Sequence, residues 1–162
     1  MTHSSQTLGT VLRHLLEHLD GAVEDAYRAA GLAYRPRYTP IVRALLADGP
    51  VSIRTLATHA GITHSAVSQT VAQMAKDGLV ALTPGVDGRE RIVALTVAAH
   101  AMLPEIERHW AATNAAAREL DGELSMPLTD LLLEAVERLE RRSFGDRIKN
   151  AAMPKTRGRE DA

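Results

Sequence analysis

Apolar residues recur at helical spacing from the start of the chain. Between Thr7 and Ala30, residues Leu8, Val11, Leu12, Leu15, Leu16, Leu19 and Val23 return on one face of a helix, the stripe of an amphipathic segment. Gly31-Leu-Ala-Tyr-Arg-Pro-Arg-Tyr38 breaks that pattern, and Thr39-Pro40 reads as an N-cap with proline in the first turn, so a second helix is expected to about Ala47. Asp48-Gly-Pro50 is a turn. Ser52 is placed to cap a short third helix with Ile53, Leu56 and Ala57 inward, and Gly61 to end it. Thr63 is placed to cap a fourth, in which Val67, Val71 and Met74 share a face, and Gly78 to stop it.

The period then changes. Leu79 to Leu82 and Arg91 to Leu95 alternate or run β-branched around Pro84-Gly-Val-Asp-Gly88, a hairpin with an Asp-Gly turn. Helical spacing resumes after a cap at Thr96, through Leu103, Ile106, Trp110 and Ala117 to Leu120, with a bend expected at Pro104. Asp121-Gly122 is expected to separate this fifth helix from a sixth, which starts at Ser125 or Thr129 and bears Leu128, Leu132, Val136 and Leu139. Beyond Phe144 the sequence turns polar and aperiodic, and 145–162 is expected to be a disordered tail. The predicted fold class is mostly α, about six helices plus a β-hairpin. The expected regions are an N-terminal helix and connector over 1–38, a central unit over 39–96, C-terminal helices over 97–144, and the tail.

Composition supports the helical reading, because aromatics are only 3% of the chain while Ala and Leu abound. The absence of cysteine removes disulfide frameworks, Cys-based zinc fingers and thiol switches, and fits a reducing compartment. No apolar run reaches the length of a membrane span, and Met-Thr-His-Ser-Ser-Gln lacks the layout of a signal peptide. A cytoplasmic protein with no membrane partner is expected. The net charge of −1 argues against a nucleic-acid binder until it is divided along the chain. Residues 35–96 carry seven basic against four acidic side chains, a net +3, and the acid is concentrated outside them.

Helix, tight turn, helix and hairpin within 39–96 is the layout of a winged helix-turn-helix. The outer face of its fourth helix offers Ser65, Ser68, Gln69, Ala72, Gln73 and Lys76 in one stripe. Short hydroxyls and amides are the side chains that reach base edges in a major groove, and Gln can pair with adenine through two hydrogen bonds. Any surface helix also has a polar face, so the stripe reads equally as a solvated one. The hairpin tip adds Arg89 beside an Asp-Gly turn, where a wing can carry arginine into a narrow minor groove and Asp87 can orient it; a solvated turn or a structural ion pair accounts for Asp87 equally well. The candidate DNA-binding residues are Arg54, Thr63, His64, Ser65, Ser68, Gln69, Gln73, Asp87, Arg89 and Arg91. Arg35, Arg37 and Arg43 are further candidates for phosphate contacts, and Arg43 and Arg54 read as well as ordinary surface charges.

On Leu56-Ala57, Gly61-Ile-Thr63, Ser65-Ala-Val-Ser68, Lys76-Asp-Gly-Leu-Val80, Asp87-Gly-Arg89 and Ala94-Leu-Thr96, the chain resembles the MarR family of bacterial and archaeal regulators. The resemblance runs from Leu8 to about Phe144. It implies a homodimer joined by the first, fifth and sixth helices, with two winged heads on a pseudo-palindromic operator in double-stranded DNA. It also implies a repressor released by a small aromatic effector. The chain departs from the family where members commonly carry arginine: Gln69 stands in the recognition helix, and Ala81-Leu82 in the first wing strand. A winged-helix protein-interaction module that has lost DNA binding is therefore the alternative.

Two other constellations carry candidate chemistry. His14-Leu-Leu-Glu17-His18 has the H-x-x-E-H form of some zinc peptidases, but no downstream segment offers a third ligand, so solvated or interface histidines are the reading and neither metal nor cofactor is expected. Tyr34, Arg35, Tyr38 and Trp110 gather most of the large planar side chains, and the resemblance places a ligand pocket among the first, second and fifth helices; simple packing of the helix junction explains them as well. The glycines are isolated turn and cap residues, nothing resembles a Ser-His-Asp triad, and the chain is not expected to be an enzyme.

Overall fold

The structure, a computed structural model, describes residues 6–85 and 90–152. Two compact units divide the chain, Met1–Thr113 and Asn114–Ala162, with the boundary inside one long helix. Among the described residues there are seven α-helices, a short 3-10 turn and a three-stranded sheet. None of these helices is long and apolar enough to cross a membrane.

In the first unit, α1 spans Leu8–Ala29, and its N-cap Thr7 accepts from the Thr10 amide at 3.2 Å. A 3-10 turn over Pro36–Tyr38 leads directly into α2, Thr39–Asp48. Thr39 was expected as the cap of α2, yet the cap position belongs to Tyr38 and the Thr39 side chain is used elsewhere. Strand β1, Val51–Ser52, was not anticipated. Two residues are too few to show a period, and β1 exists because it pairs with a strand forty residues on, Val51 opposite Val93. Ser52 then caps α3, Ile53–Ala60, accepting from the Thr55 amide at 3.2 Å. Gly61 ends α3 with φ 64°, a left-handed conformation that glycine takes without steric cost.

Helix α4, His64–Lys76, is capped by Thr63, whose hydroxyl accepts from the Ala66 amide at 3.3 Å. The hairpin follows as β2, Val80–Pro84, and β3, Arg91–Leu95, antiparallel with Val80 opposite Leu95. The sheet order is β1-β3-β2. At the loop end of the hairpin, the Gly85 amide donates to the Glu90 carbonyl at 2.8 Å. Thr96 caps α5, Val97–Glu123, accepting from the Ala99 amide at 3.1 Å while its own hydroxyl donates to the Gly78 carbonyl at 2.7 Å. That single side chain ties the end of the wing to the end of α4.

The core of this unit is one cluster in which Tyr27, Tyr38, Ile41, Leu56, Val67, Val71, Met74, Val93 and Ile106 are almost wholly removed from solvent. Tyr27 brings the C-terminal end of α1 into it. Val23 packs against it partly buried, whereas Leu8, Val11, Leu16 and Leu19 towards the N-terminal end are exposed, Leu8 at 68%.

In the second unit α5 runs unbroken through Asp121-Gly122, where a separation was expected. Asp121 does act at the junction, because its Oδ1 accepts from the Leu128 amide at 2.8 Å and so satisfies the first turn of α6, Leu128–Arg141. Leu131, Leu132, Leu133, Val136 and Leu139 of α6 are exposed. The expectation of a disordered tail from 145 needs correction, since Phe144–Ala152 forms α7. Its cause is local: the Ser143 hydroxyl accepts from the Asp146 amide at 3.1 Å and donates to the Asp146 carboxylate at 2.8 Å, and Arg147 donates to the Arg138 carbonyl at 3.2 Å. Residues 153–162 of that tail lie outside the described residues.

Met74 has no solvent exposure. Met74→Ala should lower unfolding stability by about 2–5 kcal/mol, whereas Ala72→Ser on the exposed face should change it by less than about 0.5 kcal/mol. Urea denaturation of the two variants measures both, and equal losses would show that α4 is not anchored by its inner face.

Candidate nucleic-acid interface

The recognition-type helix is fixed from beneath and presented from above. Val67, Val71 and Met74 are buried, while Ser65, Gln69 and Ala72 are exposed and Ser68 and Gln73 half-buried. Thr63 spends its hydroxyl on the α4 cap, which makes it a residue that sets the start of the helix. His64 begins the helix and is exposed. At the N-terminus of α4 the free amides and the helix dipole favour an anion, which is the position a DNA phosphate would take.

The outer stripe is less uniform than the sequence suggests. Gln73 donates from Nε2 to Asp77 Oδ1 at 2.9 Å. A carboxylate only accepts, so the amide nitrogen must face it, leaving the second N–H and the carbonyl oxygen of Gln73 for another partner. Asp77 is held in turn by the Tyr38 hydroxyl, which donates to Oδ2 at 2.6 Å. The Tyr38 bond, the Gln73 bond and the charges of Arg35 and Arg37 hold the Asp77 carboxyl below the usual carboxylate range, against a smaller opposing effect of burial. The Tyr38 phenol moves the other way, pushed up by burial and then by Asp77. A fully buried tyrosine thus orients a surface glutamine through a carboxylate. Sequence reasoning missed this relay, because Tyr38 and Asp77 lie 39 residues apart and nothing in their spacing marks them as partners.

Around the wing, Arg91 is exposed at the start of β3, opposite Pro84. Arg54 of α3 reaches the hairpin, with Nε 4.0 Å from Glu90 Oε1, but stays 84% exposed, so this pair holds it only loosely. Asp87 and Arg89, proposed for the wing tip, lie outside the described residues. Arg43 does not face solvent freely; its guanidinium stacks 4.7 Å above the Trp110 ring.

The four residues proposed for a ligand divide into separate groups. The Tyr34 hydroxyl and Trp110 Nε1 both donate to Thr39 Oγ1, at 3.3 Å and 3.2 Å. Tyr27 and Tyr38 meet Tyr34 edge to face at 5.0 Å and 5.7 Å, and burial pushes the Tyr27 and Tyr34 phenols up, keeping them neutral donors. Tyr38 turns its hydroxyl to Asp77, and Arg35 is exposed. This arrangement fits packing of the helix junction. A cavity of about 280 Å³ lies elsewhere in the unit, among Leu45, Leu46, Gly49, Pro50, Ala94, Leu95 and His100.

These elements define a winged helix-turn-helix. Residues 34–90 match the family model described as the MarR family, a segment that includes the turn, α2 to α4 and the first wing strand. None of the curated proteins compared with the chain matches it. Among solved structures, the chain is similar to the Mycobacterium tuberculosis transcriptional regulator MOSR in complex with DNA, with TM-score 0.65 and 18% identity over 91% of this chain and 100% of that one. It is similar to a probable transcriptional regulator from Pseudomonas aeruginosa, with TM-score 0.57 and 24% identity over 83% and 97%. For Bordetella bronchiseptica BpsR, whose DNA binding is regulated by 6-hydroxynicotinic acid, TM-score is 0.62 and identity 16% over 88% and 99%. The common feature is the fold, a mostly helical winged helix with helices at both ends.

The Tyr38–Asp77 pair has a defined pH dependence. A carboxyl whose folded value is depressed adds stability above its unfolded value of about 3.9 and loses it as pH falls through the folded one. Tyr38→Phe should therefore cost about 1–2 kcal/mol at pH 7, with the gap to the parent protein closing as Asp77 protonates in acid. Urea melts of both proteins at neutral and acid pH give the gap, and a gap independent of pH would show that Asp77 is not the partner that matters.

Proposed function

We propose that the chain is a DNA-binding transcriptional regulator of the MarR type, acting in the cytoplasm as a homodimer on a pseudo-palindromic operator, as a repressor. The observation that carries this reading is the two-sided α4, apolar and immobilised inward, hydroxyl and amide outward, beside a wing. Ser65, Ser68, Gln69 and Gln73 supply base contacts. His64, Arg54 and Arg91 supply phosphate contacts, and Arg89, oriented by Asp87, anchors the wing in the minor groove. Exposed leucines on α1 and on α6 are the surfaces a second copy would cover. Two recognition helices must then meet half-sites about 10 base pairs apart, or a multiple, to lie on one DNA face.

The weak basic charge of the head favours one rival, a winged-helix module that binds protein instead. Salt separates the two. Operator binding measured by fluorescence anisotropy on fragments selected from the source genome should fall steeply with salt as counterions are released. Arg89→Ala should weaken it by about 1–3 kcal/mol, and Gln69→Ala should alter base preference. A flat salt response, or no binding to any fragment, leaves the interaction module.

A small aromatic effector is proposed at the Tyr34, Arg35, Tyr38 and Trp110 junction, where a ligand would compete for the Thr39 hydroxyl that Tyr34 and Trp110 share. BpsR, a relative by fold, is regulated by an aromatic acid. Aromatic acids and phenols should quench Trp110 fluorescence and raise the melting temperature. If a panel of them does neither, the effector site is removed from the mechanism.

A further inference from the structure

One face of α1 carries His14, Glu17 and His18, which neither the core nor the DNA reading uses. His14 and His18 are one helical turn apart, so both side chains rise from the same face. Their Nε2 atoms stand 3.1 Å apart, with ring centroids at 4.4 Å and planes inclined by 71°. Imidazole nitrogens bind zinc at about 2.0–2.1 Å. A cation at that distance from both atoms of a 3.1 Å pair subtends an N–metal–N angle of about 100°, between the tetrahedral and square-planar values.

The other side of His14 is also furnished. Glu17 Oε2 lies 3.8 Å from His14 Nδ1. At that distance the carboxylate is beyond hydrogen-bond reach of the ring, and it contributes a negative charge beside the pair that favours a cation. The pair stands in the open on the helix surface, so water can reach a cation held between the two rings. The side chains of His14 and Glu17 are 68% and 69% exposed, so a cation has direct access.

We infer that His14 and His18 form a two-histidine clamp for a borderline divalent transition cation, Zn²⁺, Ni²⁺ or Cu²⁺, with Glu17 adding a favourable negative charge beside it. Two imidazoles select against Mg²⁺ and Ca²⁺, which take oxygen ligands. Among the described residues no group of three or more ligating side chains gathers, so water completes the coordination and binding is reversible. The clamp spans one turn of α1 and exists only while that turn is helical. A bound cation therefore stabilises the folded helix.

The test uses the untagged full chain and Zn²⁺, with His3→Ala as a control because His3 lies outside the described residues. Calorimetric titration should show one Zn²⁺ site that survives His3→Ala and weakens at least tenfold in His14→Ala and in His18→Ala. Glu17→Gln should weaken it by less than about fivefold, because the carboxylate acts only as a screened surface charge. Zn²⁺ should raise the melting temperature of the parent protein and leave that of the His14→Ala/His18→Ala double variant unmoved. All three positions are exposed, and the circular dichroism of each variant without metal verifies that it folds. Zn²⁺ binding of equal strength in the double variant, or Mg²⁺ binding as tightly as Zn²⁺, would overturn the clamp. The outcome is independent of whether the head binds DNA.

Discussion

Everything the reading head does depends on burying the inner stripe of α4. Val67, Val71 and Met74 enter a cluster that also holds Leu56 of α3, Leu79 and Val80 at the start of the wing, Val93 of β3 and Ile106 of α5. Because these side chains fix α4 in rotation as well as in position, they decide which residues face outward. A helix turned by one residue, about 100°, would move Gln69 from the outermost position to a flank and draw Val67 out of the core. The same burial orders the wing, since the Leu79 amide donates to the Met74 carbonyl at 2.9 Å and Thr96 grips Gly78. Helix and hairpin are thus one packed body, and Gly78, at φ 74°, is the turn that lets the chain leave one and enter the other.

Much of this was legible because it is periodic or chemically punctuated. The inward trio of α4, the caps Ser52, Thr63 and Thr96, and the glycines that end α3 and α4 all follow from spacing and residue type. What the sequence hid was non-local. Thr39 looked like a cap because Pro40 follows it, but tertiary partners at Tyr34 and Trp110 claim its hydroxyl, and the preceding 3-10 turn moves the cap to Tyr38. Strand β1 is created by its partner, not by its own two residues. Helix α7 was masked by the polar, proline-containing run after it, which diluted a capped nine-residue segment that begins at Phe144. The wing tip, Asp87 and Arg89, rests on sequence alone.

Charge sets the conditions under which such a head works. With a net +3 over 35–96 and only uncharged Ser65, Ser68, Gln69 and Gln73 along the outer face of α4 ahead of Lys76, little long-range attraction is available. Orientation has to supply part of what charge does not. A free glutamine loses side-chain entropy when it pairs with a base, a cost of order 1 kcal/mol or more. Gln73 has lost some of that freedom already, because Asp77 holds its amide and Tyr38 holds Asp77. Gln69 has no such support among the described residues. Two glutamines one turn apart on one stripe are therefore not equivalent: Gln73 would meet a base edge at lower entropic cost, whereas Gln69 keeps its full rotamer freedom.

Tyr38 and Thr39 are adjacent in the chain yet serve opposite sites. Thr39 is the shared acceptor of Tyr34 and Trp110, and Tyr38 is the buried end of the relay to Gln73. Both stand where the 3-10 turn becomes α2, with Tyr34 packed edge to face on Tyr38. A molecule that displaced Tyr34 or Trp110 from Thr39 would act one residue away from the tyrosine that, through Asp77, holds the Gln73 side chain. The linkage is reciprocal by thermodynamic necessity: if occupancy at the aromatic junction shifts Tyr38, then DNA that fixes Gln73 must alter affinity at the junction by the same factor. The packing offers few ways to absorb such a shift quietly, because Tyr38 has no solvent exposure and its hydroxyl bond to Asp77 is short.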